Sequence, residues 1–568
     1  MRSDSPHRSF TPHGLRLLRH YRRSWLRPDA LAGITVAAYL IPQVMAYADV
    51  AGLEPVVGLW AIIGALLVYT VFGSSRQLSV GPESTTALMT AVTIAPLAAG
   101  DSVRYATLAA ALAMLVGVLC LLGAAARLGF LADLLSRPVL VGYMAGVAVI
   151  MIVGQLGKVT GVPMAGDSTL ADVGSFLDQL ELVHLPTLLL AAGVLVFLLM
   201  AGNLLPKLPI PLVAVLLATA AVPLFSLRDH GVQLIGAIPA GLPTPGVPDI
   251  SGSDLTALLL PAIGVAIVGY SDNVLTARSF ATRNSYRIDA NAELLALGTA
   301  NLAAGLSHGF PVSSSASRTA IGDSLGSRSQ AHSLVAVTAV VLVLLFGRPL
   351  LALFPMAALG ALVIYAALRL IELAEFRRIG AFRTSELTLA LATTAGVLLL
   401  DVLYGVLVAI GLSILDLLRR LARPHDGILG EVPGVAGMHD VADFPDATRI
   451  AGLVIYRYDA PLCFANADNF RLRALAAVDQ SPTPVEWFLL NAEANVEVDV
   501  TAVDALEDLR TELDRRDIVF AMARVKQDLR DILVKAHFVQ GVGENRIFPT
   551  LPTAVAGFRQ WHDEQHRP

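Results

Sequence analysis

Long apolar runs separated by short polar breaks dominate the chain from residue 29 to residue 421. Most of these runs approach the roughly 20 residues that an α-helix needs to cross a bilayer. The pattern predicts a polytopic all-α membrane protein with 14 transmembrane segments in two sets of seven. The first set lies near 29–50, 55–72, 84–99, 104–124, 136–157, 186–203 and 209–226. The second set lies near 255–280, 290–306, 315–326, 331–347, 350–371, 386–402 and 403–421.

The two sets are predicted to be inverted repeats, at about 29–226 and 255–421. Because seven is an odd number, the second repeat enters the membrane from the opposite side. The third segment of each repeat, 84–99 and 315–326, is short and follows a break rich in Gly and Pro. Paired short segments of this kind point to half-helices and to a binding site between the repeats.

The chain after Arg423 changes to a soluble pattern in which strands alternate with helices, which favours an α/β domain with a largely parallel sheet. We place a linker at 424–448 and the domain at 449–563. It contains no Gly-rich phosphate loop and no metal-like spacing of His and Cys, so we predict no enzyme activity, cofactor or metal site. Strands are expected near 452–458, 461–464, 486–490 and 518–523. Helices are expected near 466–479, 501–515, 526–536 and 551–563.

Composition supports a membrane protein, since 55% of the 568 residues are apolar and only 15% are charged, against about 25% charged in soluble domains. The net charge of -5 points to no nucleic-acid partner. Cys120 and Cys463 lie in different segments and predict no disulfide framework. Residues 1–28 carry seven Arg and one acidic residue. By the positive-inside rule this basic N-terminus is cytoplasmic, and an even number of spans returns the C-terminus there.

A dense run of hydroxyl side chains precedes the second short segment and ends at Arg318. Serines are good helix N-caps, and a helix that starts inside the membrane points free N–H groups and partial positive charge at its own N-terminus. Arg318 adds a full positive charge, which predicts an anion site. The same argument applies at Ser84, after Pro82. The predicted substrate ligands at these two helix starts are Ser84, Ser315, Ser317 and Arg318.

Two further segments carry polar pairs with a spacing of four residues, which places each pair on one helix face. Gln43 and Tyr47 follow the Pro42 kink of the first segment and are predicted to wall a small ligand. Asp272 and Thr276 lie in the eighth segment, where an acid should face a cavity or a partner, and Arg318 is its expected partner.

Glu83 is the third candidate for coupling to a proton or a cation, beside Asp272 and Thr276. Each feature also has a structural alternative. Glu83 can be a helix cap, the polar residues after Pro42 can serve ordinary packing, and Asp272 with Arg318 can be a purely structural ion pair. Arg318 itself can be a snorkelling residue at a helix end.

The chain resembles the SulP anion permeases, which include the animal solute-carrier anion exchangers and prestin. The resemblance spans about residues 29 to 560. The resemblance rests on Ile41-Pro42-Gln43 with Ala46-Tyr47, the run from Gly73 to Pro82, the run from Ser313 to Arg318, and the C-terminal α/β module. It implies a membrane domain split into a mobile core and a gate or scaffold, a cytoplasmic STAS domain, and a homodimer. It also implies a substrate between the third and tenth helices, near Gln43, Tyr47, Glu83, Asp272, Ser317 and Arg318.

Two positions depart from parts of this family. Animal exchangers have an aromatic residue at the position of Glu83, whereas an acid at the position of Asp272 is similar to plant and bacterial symporters. In the STAS module, Val500 stands where soluble anti-sigma antagonists carry their phospho-acceptor serine, which leaves Thr501 as the acceptor to consider.

The leading functional prediction is a secondary active transporter of inorganic oxyanions that takes up sulfate with protons by alternating access. It would act in the inner or plasma membrane. Sodium-coupled bicarbonate uptake and proton-coupled dicarboxylate uptake are the alternatives within the same class. An anion channel, a voltage-driven area motor, and a membrane-tethered scaffold with a cytoplasmic STAS partner are alternatives from other classes.

Overall fold

The computed structural model describes residues 12–133, 136–164, 169–204, 209–239 and 241–566. The basic residues Arg2 and Arg8 therefore lie outside the described residues. The chain forms two compact units, Met1–Ser413 and Ile414–Pro568.

The described part of the first unit is almost entirely helical, as the apolar pattern predicts. Seven of its described helices are long and apolar enough to cross a membrane, and shorter apolar helices accompany them. The mostly helical membrane fold is thus confirmed. Helices α1 to α17 are, in chain order, His13–Arg19, Leu26–Val50, Pro55–Phe72, Ser84–Ala98, Ser102–Ala125, Arg137–Thr160, Thr169–Asp178, Leu185–Leu204, Ile210–Leu224, Gly252–Arg283, Ala290–Leu306, Ala316–Ser324, Ala331–Phe346, Arg348–Leu351, Met356–Leu370, Leu373–Phe382 and Thr384–Ala422.

The last helix of this set, α17, contains the two segments that were predicted at 386–402 and 403–421. A methyl group built on Gly405 would lie only 2.5 Å from the Cα atom of Val397. Eight residues of a straight helix span about 12 Å, so the chain folds back on itself between these two residues. The structure differs elsewhere by adding the short helices α7 and α16, which the apolar pattern did not predict.

The short segments of both repeats are half-helices, α4 and α12, and a two-residue strand precedes each. Strands β1 (Val80–Gly81) and β2 (Ser313–Ser314) pair antiparallel, with Val80 opposite Ser314 and Gly81 opposite Ser313. This pairing satisfies backbone groups that a broken membrane helix would leave free. It also fixes the two helix starts beside each other, which the sequence pattern did not reveal.

Small residues allow the surrounding helices to approach closely. A methyl group on Gly298 of α11 would lie 2.9 Å from the backbone oxygen of Gly117 on α5. One on Gly58 of α3 would lie 2.0 Å from the backbone oxygen of Val44 on α2. Close backbone packing of this kind is the usual basis of helix association in membranes.

The second unit is the predicted α/β domain with a mostly parallel sheet. Its strands β3 to β8 are Asp426–Glu431, Met438–Asp440, Leu453–Tyr458, Trp487–Asn491, Val519–Ala523 and Ile547–Phe548. They pair in the order β4-β3-β5-β6-β7-β8, and β5 to β8 are parallel neighbours. Apolar side chains on both faces of the central strands pack beneath the helices, as expected for a parallel sheet. Helices α18 to α22 are Ala467–Asp479, Val500–Arg515, Gln527–Lys535, Phe538–Val542 and Leu551–Gln565.

Residues 424–448 are not simply the predicted linker. Strand β3 pairs antiparallel with β5, and β4 pairs antiparallel with β3, so the sheet begins upstream of residue 449. The short, glycine-containing strand β3 carries little apolar signal in the sequence, and its long-range pairing with β5 decides its structure. The strand expected at 461–464 is reduced to one bridge between Leu462 and Val498.

Candidate anion-binding site

A cavity of about 610 Å³ opens where the two half-helices begin. Its wall combines residues of α2, α4, α10 and α12, and so brings together both repeats. Seven of the predicted site residues line it, namely Gln43, Tyr47, Glu83, Ser84, Asp272, Thr276 and Ser317. Ser315 and Arg318 are buried behind this wall.

The start of α4 is built around Glu83, which is its N-cap. One carboxylate oxygen, Oε2, accepts hydrogen bonds from the Thr85 backbone N–H (2.9 Å) and from the Ser84 hydroxyl (2.6 Å). The capping alternative for Glu83 is therefore what the structure shows. The same side chain still lines the cavity, so a second role there stays a prediction.

The start of α12 is capped by Ser315, whose hydroxyl accepts a long hydrogen bond from the Arg318 N–H (3.5 Å). The Ser315 hydroxyl also lies 3.1 Å from that of Ser317. The two hydroxyls thus have different positions. That of Ser315 caps the N-terminus of α12, whereas that of Ser317 faces the cavity.

Gln43 connects the kinked helix α2 to the start of α12. Its amide nitrogen donates to the Tyr47 hydroxyl (3.1 Å) and reaches the Ser317 hydroxyl (3.4 Å). Its amide oxygen accepts from Arg318 Nη1 (3.2 Å). Because a guanidinium only donates, this contact fixes the amide with its NH₂ group towards the cavity hydroxyls. An anion would meet hydrogen-bond donors there.

Arg318 is completely buried and joins the two half-helices from behind. Nη1 donates to the Pro82 backbone oxygen (2.9 Å) and Nε to the Ser79 hydroxyl (3.3 Å). In the described part of the chain, Nη2 has no hydrogen-bond partner, and Arg318 makes no ion pair within 4.0 Å. Its charge is thus hydrogen-bonded to neutral oxygens, and no carboxylate among the described residues lies within ion-pair distance of it.

The expected pairing of Asp272 with Arg318 is wrong. Asp272 accepts a hydrogen bond from the Ser314 hydroxyl (3.1 Å) on strand β2. Among the described residues, neither Asp272 nor Glu83 lies within 4.0 Å of an Arg, Lys or His nitrogen. The strand pairing sets this geometry, because it turns Arg318 towards β1 while Ser314 faces α10. Two carboxylates without a cationic partner therefore share the cavity wall.

The cavity also contains residues that the sequence reasoning missed, on α2 and α15. Tyr39, Tyr365 and Arg369 all line it. The guanidinium carbon of Arg369 lies 4.8 Å from the centre of the Tyr365 ring, and Arg369 forms no ion pair within 4.0 Å among the described residues. An arginine at the end of an apolar helix looks like a snorkelling residue in the sequence, and only the packing places it here.

A buried carboxylate, Glu293 of α11, fixes the loop that leads into β1. It accepts hydrogen bonds from the Tyr69 hydroxyl, the Asn273 amide, the backbone N–H groups of Ser74 and Ser75, and the Ser74 hydroxyl, at 2.7–3.0 Å. On the other side, Asn301 bonds both backbone groups of Val312, just before β2. Hydrogen bonds to buried side chains of α11 thus hold the backbone just before β1 and just before β2.

With the apolar helices that surround it, this cavity is typical of a polytopic membrane protein, here with an additional α/β domain. The chain belongs to the sulfate permease family, whose pattern matches residues 26–393. A STAS domain pattern matches residues 444–554. The predicted family resemblance and the STAS domain are thus confirmed.

Individual relatives are similar to this chain over most of their own length. A probable sulfate transporter of Mycobacterium tuberculosis is 62% identical over 547 residues, which cover 96% of this chain and 98% of the relative. The chloroplastic sulfate transporter 4.1 of Arabidopsis thaliana is 31% identical, covering 95% of this chain and 81% of the relative. The murine Solute Carrier 26 family member A9 anion transporter, in its inward-facing state, has the same fold with a TM-score of 0.90 at 22% identity, covering 99% and 96%.

Proposed function

We propose that this protein is a secondary active transporter that takes up sulfate together with protons by alternating access. The observation that supports it best is the buried, unpaired Arg318 behind a cavity whose wall carries two carboxylates without cationic partners. The relatives described as sulfate transporters support the choice of sulfate.

The anion would bind between the starts of α4 and α12. The amide of Gln43 and the hydroxyls of Tyr47, Ser84 and Ser317 are the proposed ligands among the polar groups of the cavity wall. The two helix N-termini and the charge of Arg318 add electrostatic attraction. A charge-assisted hydrogen bond contributes about 1.5–3 kcal/mol, so a few such groups suffice for selective binding.

Proton coupling follows from the charge in this cavity. A doubly charged anion would enter beside Asp272 and Glu83, and unneutralised charge in a low-dielectric site costs several kcal/mol even after relaxation. Protonation of a carboxylate removes part of that cost, so anion and proton should each raise the affinity for the other. Glu83 is held by its own helix start, whereas Asp272 accepts one hydrogen bond from a serine hydroxyl. We therefore assign the coupling role to Asp272.

The remaining parts of the proposal concern placement and assembly. We propose a multi-pass protein of the cell membrane with both termini in the cytoplasm, because the N-terminus is rich in Arg and the last apolar segment ends in a cluster of three Arg, at 419, 420 and 423. Assembly as a homodimer and a cytoplasmic partner for the STAS domain rest on the family resemblance alone.

The test is uptake of radiolabelled sulfate into proteoliposomes, with the proton and sodium gradients varied independently and with competing anions. We expect the wild type to accumulate sulfate when a proton gradient points inward. Asp272→Asn should still bind sulfate, with a weaker pH dependence, and should fail to accumulate it. Glu83→Gln is the matched variant in the same cavity and should keep part of the accumulation.

Other outcomes would redirect the proposal. Full proton-driven accumulation by Asp272→Asn, together with its loss in Glu83→Gln, would move the coupling role to Glu83. Accumulation driven by sodium and insensitive to pH would replace proton coupling with the sodium-coupled alternative, in which Asp272 and Thr276 supply oxygens to the cation. A conductance without accumulation would contradict secondary active transport.

A further inference from the structure

A cluster of three potential metal ligands lies in the second unit, between helix α22 and the start of strand β6. His562 lies in the last turn of α22, and His566, four residues later, is the C-cap that directly follows the helix. The centres of the two rings are 4.2 Å apart. Both face the carboxylate of Glu486. His562 Nδ1 lies 2.6 Å from Glu486 Oε2, and His566 Nε2 lies 3.5 Å from Glu486 Oε1. The three ligand atoms are within 4.8 Å of one another.

The backbone that carries these side chains is well supported. The Glu486 N–H donates to the Gly452 oxygen and its C=O accepts from the Val519 N–H, each at 2.8 Å. Glu486 is thereby fixed between the neighbouring strands β5 and β7. On the helix side, the rings of Phe558 and Trp561 lie 5.8 and 5.6 Å from that of Trp487. A site on rigid elements keeps its ligands near one geometry.

The hydrogen bond of His566 indicates which ring nitrogen is available. Its Nδ1 lies 3.0 Å from the backbone oxygen of His562. A carbonyl oxygen only accepts, so Nδ1 carries the proton, and in the neutral ring Nε2 holds the lone pair. That lone pair faces the Glu486 carboxylate. His562 Nδ1 donates its hydrogen to Glu486 Oε2 here, so binding of a metal at this nitrogen would release that proton to solvent. Metal-binding histidines usually donate their other N–H to a carbonyl or carboxylate in this way.

We propose that Glu486, His562 and His566 form a binding site for a divalent transition metal of the zinc type. Two imidazoles and one carboxylate are a ligand set that suits Zn²⁺, with a fourth position left for water. The side chains of the three residues are 26%, 38% and 56% exposed, so an ion can reach them from solvent. The metal would fasten α22 to the sheet, independently of the transport cavity.

The sequence did not indicate this site because Glu486 is 76 residues away from His562. A His pair with this spacing needs a third ligand, and nothing in the sequence marks Glu486 as that ligand. The prediction of no metal site therefore follows from the sequence, and only the packing of α22 on the sheet completes the ligand set.

The test uses the full chain in detergent, purified without a polyhistidine tag and stripped with a chelator. Co²⁺ is titrated as a spectroscopic probe, followed by competition with Zn²⁺, Mg²⁺ and Ca²⁺. We expect one Co²⁺ per chain with the visible absorption of a low-symmetry site, displaced by Zn²⁺ and not by Mg²⁺ or Ca²⁺. His566→Ala should weaken binding at least tenfold. His439→Ala is the matched control, because His439 also bonds a backbone oxygen but lies outside the cluster.

Glu486→Gln provides a second variant that keeps the size of the side chain. Zn²⁺ should raise the unfolding temperature of the wild type and of His439→Ala, and leave that of Glu486→Gln unchanged. Equal Co²⁺ binding by the wild type, His566→Ala and Glu486→Gln would overturn the site. Absence of Co²⁺ binding in the wild type would also overturn it, and the cluster would then be an ion pair between Glu486 and protonated histidines.

Discussion

At the scale of single residues, Arg318 can influence the candidate anion site although its side chain does not line the cavity. The side chain is fully buried, donates hydrogen bonds to backbone and side-chain oxygens of the first repeat, and orients the amide of Gln43. The sequence pattern predicts direct contact between Arg318 and an anion. In the structure Arg318 positions Gln43 and places its charge behind the cavity wall, outside ion-pair distance of the described carboxylates.

Replacing Arg318 by Ala should therefore affect binding and folding together. Arg318 acts on the anion through its charge and through the orientation of Gln43. We expect their loss to have the size of one charge-assisted interaction, about 1.5–3 kcal/mol, which corresponds to a decrease in sulfate affinity of roughly 10- to 150-fold. The Pro82 oxygen would also lose its partner, so the unfolding temperature should fall. Sulfate binding by calorimetry and thermal unfolding in detergent measure the two effects.

Ser79→Ala is the control for this variant, because it removes only the contact to Nε and leaves the charge in place. It should retain most of the affinity. Arg318→Lys should also be impaired, since an ammonium group cannot reach Gln43 and Pro82 with the geometry of a guanidinium. Unchanged affinity in a folded Arg318→Ala protein would contradict the role assigned to the charge.

Two serines that are two residues apart should separate binding from stability. Ser317 lines the cavity and bonds Gln43, so Ser317→Ala should lower sulfate affinity with little change in stability. Ser315 caps α12, so Ser315→Ala should lower the stability by about 1 kcal/mol, with a smaller effect on affinity. The reverse pattern in the same two assays would contradict the assignment of cap and ligand.

At the scale of elements, small residues decide how closely the helices approach. Gly142 of α6 is a close example, because a methyl group built on it would lie 2.1 Å from the backbone oxygen of Ala390 on α17. The Thr394 hydroxyl donates to the Gly142 oxygen at the same crossing (2.9 Å). Gly154 lies on the same helix α6, and a methyl group there would meet nothing within 4 Å.

We therefore expect Gly142→Ala to destabilise the membrane unit, since backbone atoms of two helices would have to separate. Gly154→Ala should be neutral, or more stable by up to about 1 kcal/mol, because Ala favours a helix over Gly. Thermal unfolding and the yield of monodisperse protein in detergent measure the difference. Equal stability of the two variants would contradict close backbone packing between α6 and α17 at Gly142.

At the scale of the whole molecule, the chain consists of two compact units, each with its own apolar core. All residues that line the candidate anion site belong to the first unit. The second unit has a complete six-stranded sheet.

A chain that ends at Arg423 should accordingly bind sulfate with an affinity within about threefold of the full protein, because its cavity residues are all present. Lower expression or faster turnover of this chain would agree with a supporting role of the STAS domain. Binding by calorimetry on the folded truncated protein is the measurement. Complete loss of sulfate binding there would show that the second unit contributes to the site.

The sequence by itself determined the elements and many of the site residues. A long apolar run has one dominant cause, which is burial in lipid or in a protein core. The ends of such a run therefore predict helix bounds closely, as at 55–72 and 290–306. Helix breaks with polar residues are rare inside a membrane, and this rarity identified Gln43, Glu83 and Asp272.

Only the tertiary structure decided how these residues meet. The pairing of β1 with β2 joins segments more than 230 residues apart, through strands of two residues that have no pattern of their own. That pairing placed Arg318 behind the cavity and separated it from Asp272, and helix packing added Arg369 to the wall. The sequence determined which buried polar side chains need a hydrogen-bonding partner, because burial acts on each segment separately. Which partner each side chain has depends on contacts between segments, and only the folded chain forms these contacts.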